Sequence, residues 1–152
     1  MFGRAELLGV LRQVAGDVMV PATVFAECTR DTTKPGVSGL VDAAASGGIE
    51  MVADPDLGSG RFMIASLDAG EIMALALARQ LGCPVLMDEA LGRKAAAKHG
   101  IPVIGGAGIL LAAKKRGFIA EIGPILNGWK SWGYFLSPAL VDAVLTRAGE
   151  RL

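Results

Sequence analysis

PVLMDEALGRKAAAKHGIPVIGGAGILLAAKKRG (residues 84–117) carries the strand–helix–strand–helix rhythm of an α/β fold. Pro84 to Met87 is a short continuous apolar run that delivers Asp88 at its carboxyl end. A helix is expected over Leu91 to Lys98, ended by His99 and Gly100. Ile101 to Ile104 reads as the next strand, and Gly105 to Gly108 opens a helix that lasts to Arg116, with Gly117 behind it. Strands that are apolar throughout, and not only at alternate positions, are covered on both faces. Alternation with helices at this spacing therefore predicts a parallel sheet under helices.

The flanks extend the pattern. Upstream, Asp68 caps a helix predicted to reach Leu81, where Gly82 stops it. Nearer the start, Leu7, Leu8, Leu11 and Val14 share one helical face. Val18 to Val20 is a strand closed by Pro21, residues 23–30 read as helical, and DTTKPG (31–36) as a loop. Residues 39–46 suit another helix, 49–52 a short strand and 54–60 an exposed turn. Downstream, PILNGWKSWG (124–133) suits a helix, and Ser137 caps the last one with Pro138 in its first turn, where a missing N–H is harmless. No repeat or linker divides the chain, so a single domain over 1–152 is expected.

Composition narrows the classes. At 52% hydrophobic residues but only 5% aromatic ones, the core must be aliphatic. No run approaches the roughly 18–20 apolar residues that span a bilayer, and an export segment is not evident, so a soluble cytoplasmic protein with no membrane partner is expected. Cys28 and Cys83 are too few for a disulfide scaffold, and one histidine excludes a histidine-rich metal centre. Fifteen basic residues balance fifteen acidic ones, so a nucleic acid would be held by local patches only.

Ligands of open α/β sheets collect beyond the carboxyl ends of the strands, which is where Asp88 and Glu89 lie. Both also suit the start of a helix, where a carboxylate meets free N–H groups. Glu71 is equally ambiguous: Asp68-Ala-Gly-Glu71 has the spacing of a capping box. Two carboxylates about 4 Å apart repel by about 4 kcal/mol at an effective dielectric of 20. A divalent cation with oxygen ligands removes that cost, which makes Mg²⁺ or Mn²⁺ the expected metal. Glu27 reads as a further acid for the same rim, a partner for Arg93 or simply an exposed helix charge, whereas Asp54 and Asp56 read as solvated turn residues. GGAG lacks the GK[ST] ending of a phosphate loop. Arg93, Lys94 and Lys98, with Lys114, Lys115 and Arg116, are candidates for phosphate contacts or simply a solvated face. Trp129, Trp132 and Tyr134 are candidates for stacking on bases, though at helical spacing packing or an oligomer contact is the commoner role, and His99 suits a helix end.

VMVPATVFAE (18–27), LDAGEIMALALARQLG (67–82), residues 85–117 and GYFLSPALVDAVLTRAGE (133–150) together resemble the PIN-domain proteins, most closely the prokaryotic subgroup related to toxin ribonucleases. The resemblance implies a three-layer α/β/α sandwich with a central parallel sheet. It also implies acids that hold Mg²⁺ or Mn²⁺ for cleavage of RNA. On that pattern Glu71, Asp88 and Glu89 are the catalytic and metal-binding acids, with Glu89 where relatives carry a second aspartate. Arg93, Lys94 and Lys98 would hold RNA. An antitoxin protein and a homodimer are the implied partners. Family members open with a strand ending in a metal-binding aspartate, and here the chain begins beyond that motif, so the first strand is expected to be missing. Three functions follow: a metal-dependent ribonuclease, a catalytically degraded module that binds RNA or a protein, and an oligomerising scaffold with Trp129 and Trp132 at its contact.

Overall fold

A computed structural model describes residues 1–4, 6–58 and 67–150. In chain order the elements are α1 (Leu8–Ala15), β1 (Met19–Pro21), α2 (Ala22–Thr29), α3 (Val37–Ala45), β2 (Glu50–Val52) and α4 (Ala69–Leu81). Then follow β3 (Val85–Leu86), α5 (Ala90–Lys98), β4 (Val103–Ile104), α6 (Gly106–Lys115), α7 (Gly123–Ser131) and α8 (Pro138–Ala148). Every expected helix and strand is present. Ser59 and Gly60, the end of the turn expected over 54–60, lie outside the described residues. Among the described residues no helix is long and apolar enough to cross a membrane.

Local chemistry sets the boundaries. Asp68 accepts from the Glu71 N–H at 2.7 Å, and Glu71 Oε2 accepts from the Asp68 N–H at 3.2 Å, a complete capping box at the start of α4. Gly82, at φ 63° and ψ 29°, ends α4 in the left-handed conformation that glycine adopts without penalty. Ser137 Oγ accepts from the Leu140 N–H at 3.2 Å to start α8, with Pro138 in its first turn as expected.

The sheet departs from expectation. Among the described residues the strands form two separate two-stranded parallel sheets and no single central sheet. β1 pairs with β2 in the register Met19↔Glu50, and β3 pairs with β4 in the register Val85↔Val103. The pairings are parallel, as the βαβ spacing requires, but among the described residues no strand joins β1 to β3. The molecule is thus a mixed α/β fold of two small sheets flanked by helices.

Two apolar cores match this division. One gathers Leu75, Ala78, Val85, Met87, Ala96 and Ile101 around α4, α5 and β3. The other packs Leu11, Leu110, Ile122, Leu126 and Trp129 between α1, α6, α7 and α8. Trp129 has no exposed surface and meets Phe2 edge to face at 5.4 Å, so it is a core residue and is unavailable to bases or to an oligomer contact. Trp132 is half-buried under the Arg4 guanidinium, 5.0 Å from its ring.

Candidate functional site

Close helix contacts bring the acidic residues to one rim. Gly70, in the first turn of α4, packs so tightly against α2 that an added Cβ would overlap the Glu27 carboxylate. One residue on, Glu71 reaches α5: a Cβ on Gly92 would lie 3.2 Å from Glu71 Oε1 and would overlap Met87 Sδ. Glu27 lies on the helix after β1, and Gly92 on the helix after β3. The N-terminus of α4 therefore touches the helix that follows the first strand of each half-sheet.

Glu71 is half-buried, whereas Glu27, Asp88 and Glu89 are exposed. Burial pushes the Glu71 carboxyl above its ordinary value. The Asp68 N–H pulls it back, while the negative charges of Asp68, Glu89 and Glu27 add to the rise. Glu71 thus feels both Glu89 and Glu27.

Asp88 is engaged elsewhere. Its Oδ1 accepts from the Gly106 N–H at 2.9 Å, at the start of α6. Local pattern suggests that Asp88 or Glu89 caps the helix that follows directly. Instead Glu89 occupies that cap position without a side-chain bond, and Asp88 caps a helix eighteen residues on. Gly105 and Gly106 make room for it, since a Cβ on either would stand 3.1 Å from Asp88 Oδ1 or 2.9 Å from Oδ2. Arg93 donates to the Met87 carbonyl at 2.9 Å. Lys94 and Lys98, four apart on α5, both face solvent.

Other expected roles change. Lys114 is paired with Glu150 at 2.7 Å, and Arg116 donates to the Val14 carbonyl at 3.1 Å, so both tie helices together. Asp54 is no idle turn residue: it accepts the Thr23 N–H at 3.0 Å and the Thr23 hydroxyl at 2.6 Å, anchoring the first turn of α2. Those two bonds hold its carboxyl below the usual range. Glu150, which drew no attention in the sequence, accepts from the Ile122 and Gly123 N–H groups at 2.6 and 2.7 Å as well as from Lys114. Only its position near a chain end and a helix start 28 residues earlier hinted at that.

Asp88 Oδ1 and Glu71 Oε2 each accept from a backbone N–H, and among the described residues no three acid, cysteine or histidine side chains are placed to hold one ion. Beside the rim lies a largely apolar cleft of about 1010 Å³ between the half-sheets, lined by residues of β1, β3, α1 and α4, with Arg4, Asp17, Glu27 and Lys34 also on its wall.

A family model described as the PIN domain matches residues 1–150. No curated protein and no solved structure matches the chain.

Proposed function

The chain belongs to the PIN-domain family, and from that premise we propose that it is a catalytically degraded PIN module whose role is to bind a protein partner. The observation that carries this reading is the state of the two central acids. Asp88 Oδ1 and Glu71 Oε2 each accept a backbone N–H at a helix N-terminus, so both side chains serve to hold α6 and α4. The open cleft between β1 and β3 offers apolar surface of the kind partners cover, and its volume is that of a substantial binding pocket. Two of the expected RNA-binding residues, Lys94 and Lys98, remain solvent-facing, but Arg93 supports β3 through the Met87 carbonyl.

The test is an RNA cleavage assay with the purified chain and Mn²⁺ or Mg²⁺, run beside the Glu71→Ala, Asp88→Ala double variant. We expect no turnover by either. Metal-dependent cleavage by the parent protein that the double variant loses would overturn the reading.

A second reading has one observation in its favour. The repulsion that Glu71 meets from Glu89 and Glu27 is the electrostatic setting that a divalent cation relieves. On that reading the protein is a Mg²⁺- or Mn²⁺-dependent endoribonuclease, the toxin of a toxin–antitoxin pair. Glu71, Asp88 and Glu89 would be its acids, Arg93, Lys94 and Lys98 its RNA contacts, and an antitoxin protein and a second copy its partners. The same assay decides between the two.

A further inference from the structure

We draw no further inference here: the strongest candidate, the exposed apolar surface of Tyr134, Phe135 and Leu140 at the passage from α7 into α8, carries nothing, because nothing in the structure shows what covers it.

Discussion

Asp88 carries two possible meanings in one side chain, and its bonding separates them. As the cap of α6 it supplies an acceptor to the Gly106 N–H and places negative charge at a helix N-terminus. Asp88→Ala is expected to cost about 1 kcal/mol of stability, with Asp88→Asn costing less, in urea unfolding without any divalent ion. A metal ligand would show the opposite: Ala neutral or stabilising without metal, because like-charge repulsion is relieved. Glu71 makes a pH prediction. Its carboxyl titrates above its ordinary value of 4.5 in the folded chain, so the folded state holds that proton more tightly than the unfolded one. The stability this provides is present below the unfolded value and is lost as pH rises through the folded one. Glu71→Gln keeps an acceptor for the Asp68 N–H while removing the titration. Its melting temperature, compared with that of the parent, should therefore improve between pH 4 and pH 7, by an amount that shrinks with added salt.

At the scale of elements, the helices are held by carboxylates that arrive from a distance. Glu150 joins the end of α8 to the start of α7 and to Lys114 of α6, with its side chain only 13% exposed. Glu150→Ala strands two N–H groups and a lysine, at an expected cost of about 1–3 kcal/mol. Glu150→Gln keeps acceptance from one N–H and should lose less, and Lys114→Ala, whose partner keeps both N–H bonds, least of all; urea unfolding ranks them. α6 depends on close approach at its start. Gly106 lies against both Asp88 and the Trp129 ring, with a Cβ there 3.3 Å from ring atoms that cannot retreat from a filled core. Gly106→Ala is therefore expected to destabilise by about 1–3 kcal/mol, again read by urea unfolding.

For the whole molecule, the divided sheet leaves apolar surface where a continuous sheet would bury it. The native protein should therefore enhance the fluorescence of anilinonaphthalene sulfonate at neutral pH. Leu86→Lys, which puts charge at an exposed cleft position, should cut that signal severalfold without loss of helical circular dichroism. An equal signal from the variant would place the dye elsewhere. Far more of the elements than of their assembly was legible beforehand. The capping box at Asp68 and Glu71, the stop at Gly82 and the Ser137–Pro138 start all involve residues within four positions of one another, and each formed as its spacing predicts. The candidate site was legible only as a set of names. Glu71 and Glu89 do sense each other at one rim, but the partner of Asp88 is a backbone N–H eighteen residues away, and those of Glu150 and Asp54 lie 28 and 31 residues away.

The amino-acid sequence by itself determined the helices, the parallel sense of the strands and the family, because periodicity, caps and βαβ spacing are short-range properties of the chain. Tertiary packing alone decided that the sheet divides, that Trp129 is core and that Asp88 faces α6. Each of those depends on which edges and side chains meet across the fold, and hydrogen bonds between distant segments leave no local signal to read.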